Sequence, residues 1–254
     1  MNEKLKEIAK SVRRRIFDFK TSSGVGHLAS SLSTVDVLVS LHYDKTVFNP
    51  DSDILIFSKA HGSPAIYPIL VDRGLVPAEE LDKYCRKGGI LRLHSDASIP
   101  GCHFVGGSLG NGIGYAAGLA YDNDKKVFVI LGDGELYEGS VWETLTFIAH
   151  HKLNNMKLIV DRNQLCILGG TEELLRLEPL RAKFESFGFK VTEVDGHDFD
   201  QLRAAFSTMD DQPEVVIANT VKGKGVSYME GKWQYHTIIP KTADLIKTGK
   251  EELA

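Results

Sequence analysis

Cysteine is scarce in this chain. Only Cys85, Cys102 and Cys166 occur among 254 residues, none in Cys-x-x-Cys spacing, and an odd number cannot all pair. A disulfide framework is thereby excluded, and the three read as reduced thiols of a cytoplasmic protein. Long apolar runs are missing too. None approaches the roughly 18 residues of a membrane helix, and Met1-Asn2-Glu3-Lys4 lacks the apolar core of a signal peptide. There is no excess of positive charge. Lys and Arg number 30 against 34 Asp and Glu, a net charge of −4 without a basic stripe, so a nucleic-acid partner is not suggested. Internal repeats and low-complexity segments are absent. What remains is length enough for one α/β domain or two small ones, with a core that folds without staples.

The most informative stretch runs from Lys126 to Leu165. Val127 to Leu131 is a short apolar run bounded by glycine, the pattern of a buried parallel strand. Gly132-Asp133-Gly134 follows as a tight turn. Val141, Leu145, Ile148 and Ala149 then recur at helical spacing, and a second apolar strand from Lys157 to Val160 leads into Asp161-Arg162-Asn163. This is a β-α-β unit with a right-handed crossover. Its two strands are expected side by side, with Asp133 and Asn163 at the carboxyl edge where open α/β sheets bind ligands. A carboxylate and an amide oxygen beside a glycine turn suit Mg²⁺ that is also held by a diphosphate, because Mg²⁺ takes oxygen ligands and few protein contacts.

Elsewhere, Leu5, Ile8, Val12, Ile16 and Phe19 mark an amphipathic helix over 3–20. Its Arg13-Arg14-Arg15 run is placed on the polar side, as a solvated face or a contact between subunits. Residues 21–33 read as a Gly/Ser loop, followed by a helix over 34–42 behind a Ser33–Asp36 capping box. A strand over 53–58 leads to His61 and a helix over 65–72. Pro77 to Lys87 is predicted helical from its first-turn proline, and 91–101 a loop containing His94. Residues 105–120 are glycine-rich, then helical, and a helix start offers free N–H groups to a ligand. Asp195 to Asp198 reads as a turn that caps a helix over 199–206. A last strand over 214–219 opens into the basic, glycine-hinged Lys222-Gly223-Lys224-Gly225. Five strand ends thus lead to His61, Asp133, Asn163, Gly196 and Lys222, all on one edge, as a doubly wound, mostly parallel sheet with helices on both faces requires.

Several of these stretches carry a resemblance. The Gly132-Asp133-Gly134 to Asn163 spacing is similar to that of thiamine-diphosphate enzymes, and 132–143 resembles the amino-terminal part of transketolases. So do Gly26 to Ser33, Ser58-Lys59-Ala60-His61, Gly106-Gly107-Ser108-Leu109-Gly110, Asp195-Gly196-His197-Asp198 and Lys222 to Val226. The resemblance covers nearly the whole chain. It departs at Ala29 and Ser30, where the family has two glycines, at Leu93-His94-Ser95 for Gly-His-Pro, at His103, where the family tends to be acidic, and at Tyr235-His236-Thr237.

The resemblance implies a thiamine-diphosphate-binding fold in which 1–254 is a single diphosphate-binding (PP) domain. It implies that Asp133, Asn163 and the Leu165 carbonyl hold Mg²⁺. His61 and His236 touch the diphosphate, and Gly107, Leu109, Gly132 and Gly134 lie against the cofactor. His27 and His94 face the reacting sugar, and Glu138 joins a carboxylate network. The family's pyrimidine-binding and C-terminal domains are absent and expected on a partner chain, a C-terminal transketolase subunit, in an α2β2 heterotetramer. The implied reaction is transfer of a two-carbon ketol unit from a ketose to an aldose, with sugar or sugar-phosphate substrates. The α subunit of a 2-oxo acid dehydrogenase shares the Gly-Asp-Gly to Asn site and is the competing enzyme reading; His27, His61 and His94 favour sugar chemistry. A non-catalytic binding module is the reading from a different class.

Overall fold

The computed structural model describes residues 1–254. Three helices open the chain: α1 (Asn2–Ser23), α2 (Leu28–Ser33) and α3 (Val35–Tyr43). Strand β1 (Ile54–Phe57) and helix α4 (Tyr67–Asp72) follow, then α5 (Asn111–Asp122), β2 (Val127–Gly132), α6 (Gly139–His150) and β3 (Met156–Arg162). The remainder is α7 (Thr171–Leu174), α8 (Leu180–Ser186), β4 (Lys190–Asp195), α9 (Phe199–Ser207), β5 (Glu214–Asn219) and α10 (Ala243–Glu252).

The strands form one parallel sheet in the order β1-β2-β3-β5-β4. Because side chains alternate across a strand, β2 sends Phe128 and Ile130 to one face and Val127, Val129 and Leu131 to the other. Helices α1, α3, α4 and α9 cover the first face, and α5, α6 and α8 the second. Burial on both faces is why these strands read as continuous apolar runs. The α/β expectation holds, and Gly132 pairs with Asp161 in register, so the turns after β2 and β3 are neighbours.

Four local expectations are corrected. Residues 21–33 are not one loop: α1 continues to Ser23, stops at Gly24 with φ 70°, and α2 begins at Leu28. Ser31 and Ser33 tolerate helix because their hydroxyls bond back to the preceding turn, Ser31 Oγ donating to the His27 carbonyl at 3.1 Å and Ser33 Oγ to the Ser30 carbonyl at 3.2 Å. The Ser33–Asp36 capping box does not form. Ser33 donates instead to Asp161, and Asp36 accepts a bidentate pair from Arg13 at 3.0 and 2.5 Å. Arg13 is therefore buried against α3 rather than solvated. Residues 77–87 yield only one helical turn at Ala78–Glu80, since Glu80 folds the segment back by accepting from Ile90 N at 2.8 Å. The cap of α9 is as expected: Asp198 accepts from Asp200 N and Gln201 N at 2.9 and 3.1 Å.

Candidate active site

The carboxyl ends of β1, β2, β3 and β5 open into a cleft of about 730 Å³. Its floor is the turn after β2. Asp133 is 2% exposed; its Oδ1 accepts from Gly134 N at 2.8 Å and its Oδ2 from Gln164 N. Burial pushes the Asp133 carboxyl up, and the neighbouring Asp161 carboxylate adds to this. Lys222 and Arg162 pull the other way. Beside it, Asn163 Oδ1 accepts from Leu165 N at 3.2 Å, and the Leu165 carbonyl accepts from Lys222 Nζ at 3.0 Å. One carboxylate, one amide oxygen and one carbonyl therefore meet at two adjacent strand ends. No cluster of three or more His, Cys, Asp or Glu side chains is placed to hold a metal by itself. The donor set fits a hard cation that completes its shell with a ligand's oxygens and water. Opposite, Gly107 has φ 140° and open space where a Cβ would stand, so backbone reaches the cleft uncovered just before α5.

Four histidines from distant parts of the chain form the opposite wall. His27 precedes α2 and His61 follows β1; His94 comes from the 91–101 loop and His236 from a turn at Trp233–His236. The His27 ring centroid lies 5.4 Å from His61, 6.0 Å from His94 and 5.3 Å from His236, and His61 lies 4.9 Å from His236. The Nδ1 atoms of His27, His94 and His236 have no hydrogen-bond partner within the protein. Burial lowers His27 to about 4, with Lys20 adding to it, and His236 to about 3, with Lys222 adding to it. Burial also holds His61 well below its ordinary value and lowers His94. Near neutral pH the wall is uncharged imidazole, with three buried ring nitrogens left unpartnered.

Every site residue anticipated from the sequence lines this cleft except Glu138. Glu138 is exposed at the N-cap of α6, where its stem packs against Gly110. Two charged residues of the cleft escape a reading of the sequence. Glu135 is 1% exposed and accepts from Ser58 Oγ at 2.5 Å, Gly110 N at 2.8 Å and Gly132 N at 3.1 Å, tying the glycine-rich segment to the turn after β2. Lys59 lines the cleft with its stem and reaches Asp161 below. Both stand inside the glycine-turn and His61 motifs, but only the fold reveals what they touch. An apolar rim of Ile167, Leu168, Leu174 and Leu175 completes the cleft, and Leu168 is 71% exposed.

Residues 4–254 match the family described as "Transketolase, thiamine diphosphate binding domain". The chain is 36% identical to an apulose-4-phosphate transketolase subunit from Actinobacillus succinogenes, spanning 99% of this chain and 96% of that one. It is 34% identical to a 6-deoxy-6-sulfo-D-fructose transketolase subunit from a Clostridium species, spanning 98% and 96%. It is 32% identical to human transketolase, where the match covers 91% of this chain but 39% of that protein. The crystal structure of transketolase from Campylobacter jejuni superposes with a TM-score of 0.90 at 29% identity, over 98% of this chain and 42% of that one. The chain spans about two-fifths of the length of these longer transketolases, and nearly the whole length of the two relatives that are named as subunits. This chain therefore belongs to the transketolase family, as its thiamine-diphosphate-binding domain.

Proposed function

We propose that this chain is the amino-terminal subunit of a split, Mg²⁺- and thiamine-diphosphate-dependent transketolase. It moves a two-carbon ketol unit from a ketose to an aldose, with a sugar or sugar phosphate as substrate. A separate C-terminal chain contributes the pyrimidine-binding domain, and the two assemble as a cytoplasmic α2β2 heterotetramer. The observation that carries this reading is the juxtaposition of the Asp133–Asn163 oxygens with the four-histidine wall across one cleft. Relatives of nearly the same length that are named as subunits support the division between two chains.

Thiamine diphosphate, when bound, supplies a carbanion-stabilising ring. Asp133, Asn163 and the Leu165 carbonyl would hold Mg²⁺, and Lys222 Nζ donates to that same carbonyl at 3.0 Å. His61 and His236 bind the diphosphate as neutral imidazoles through ring N–H donors. Gly107, Leu109, Gly132 and Gly134 let the cofactor approach backbone without side-chain collision. His27 and His94 stand at the substrate end and orient hydroxyl protons. A neutral imidazole both donates and accepts, which suits alternate steps of carbonyl addition and release. Glu138 faces outward, towards the carboxylates of the partner chain.

The test pairs this chain with the product of a neighbouring reading frame that carries a pyrimidine-binding domain. Ketol transfer between a ketose and an aldose, dependent on both chains and on Mg²⁺, is the expected result. Oxidation of pyruvate with an artificial electron acceptor instead would replace this reading with the dehydrogenase one. Cofactor binding without any turnover would leave a binding module.

A further inference from the structure

Beneath the cleft lies a buried ion pair that no step above uses. Lys59 is 1% exposed and Asp161 fully buried. Lys59 Nζ pairs with Asp161 Oδ2 and also donates to the Ser30 carbonyl at 2.9 Å and to Ser33 Oγ and Thr34 Oγ1, both at 3.2 Å. Asp161 Oδ2 also accepts from the Ser33 and Thr34 hydroxyls at 2.8 Å, and its Oδ1 from Thr220 Oγ1. The donors and acceptors come from four segments of the cleft. Lys59 is two residues before His61, and Asp161 two before Asn163. Ser30 to Thr34 begins in the helix that His27 precedes, and Thr220 is two before Lys222. The packing is close: a Cβ on Gly62 would stand 3.0 Å from the Ser30 carbonyl and 3.1 Å from Lys59 Cε.

We propose that the Lys59–Asp161 pair is the positioning hub of the active site, holding the segments of His27, His61, Asn163 and Lys222 in one relative arrangement. The inference rests on the functional reading of the cleft. A buried charge pair is weak evidence of stability, since apolar replacement of both partners is often neutral. Its geometric demands are strict, because every partner must stay within hydrogen-bond reach or leave a charge unsatisfied. Lys59 and Asp161 touch no reacting atom and act through the groups they place.

The test is histidine ring NMR on the full chain, without cofactor, between pH 5 and 8. In the wild type the signals of His27, His61 and His236 stay at their neutral-imidazole positions throughout. In K59M/D161N, which removes both charges together, at least one of them moves with pH within this range while the melting temperature stays close to wild type. Signals that remain fixed in this variant overturn the proposal. If K59M/D161N does not fold, T34V/T220V serves, as it keeps the ion pair and removes two of its hydroxyl donors. The appearance of a titration between pH 5 and 8 in at least one of the three signals supports the hub, and three signals that stay fixed overturn it. Failure of the wild-type pair of chains to bind thiamine diphosphate would remove the functional reading and leave this measurement intact.

Discussion

Asp133 meets two opposing demands: its carboxylate is buried, and its ionised form is disfavoured until a cation arrives. The Asp133→Ala variant removes the one full negative charge among the proposed metal ligands. Calorimetry should show Mg²⁺-dependent cofactor affinity falling by more than the roughly 10–100-fold typical of outer-shell groups. Affinity within a few-fold of wild type would strike Asp133 from the ligand set. The histidines give a prediction of opposite sign with pH. Their folded pKa values lie below the unfolded value near 6.5, so between these limits the unfolded chain binds more protons. Stability then rises with pH across the window and is lost as pH falls. For His236, lowered to about 3, the slope is about 1.4 kcal/mol per pH unit within that window. His27, lowered to about 4, acts in the same direction. Melting temperature should drop between pH 7 and pH 5, and the drop should be smaller in His236→Gln.

At the scale of elements, the site depends on helices that start close to strand ends. Helix α5 begins against Ser58, immediately after β1, and a Cβ on Gly112 would stand 2.7 Å from the Ser58 Cα. The Gly112→Ala variant must push α5 away from the sheet, at a cost of about 1–3 kcal/mol, readable as a lower denaturant midpoint with unchanged m. Helices α1 and α3 are joined by the buried Arg13–Asp36 pair, and Asp36 also holds His197 Nδ1 at 2.6 Å. His197 Nε2 in turn accepts from Val221 N at 2.9 Å, so this pair reaches the loop that bears Lys222. Arg13→Met leaves a buried carboxylate without its guanidinium and should destabilise the chain by about 3–5 kcal/mol, checked by urea unfolding. Arg13 also shows where sequence reading stops. Periodicity puts it on the polar side of α1, yet α3 packs there and supplies the carboxylate that makes burial tolerable.

At the scale of the whole molecule, the cleft is walled on one side by residues that remain uncovered. Leu168 and Leu175 are 71% and 64% exposed on the rim of the cleft. On the proposed reading this rim meets the partner chain. Leu168→Glu combined with Leu175→Glu should leave the melting temperature of the isolated chain within a degree or two, since exposed positions contribute little to stability. The same pair should abolish co-sedimentation with the partner. Undiminished assembly would move the interface elsewhere.

The sequence by itself determined the sheet, the sites of its turns and the residue types at its carboxyl edge. Those features are local: apolar runs set strands, glycines set tight turns, and strand ends in a parallel sheet share one edge. It also carried the family resemblance that named the ligands of the cleft. Only the tertiary structure decided which polar groups answer one another across it. Ser33 has the pattern of a cap and serves Asp161 instead; Glu135 and Lys59 stand inside motifs whose other residues carry the signal. Such partners on different segments are separated by 25 to 128 positions. A hydrogen bond between remote segments leaves no periodicity in the chain, because its geometry exists only after the helices have packed on the sheet.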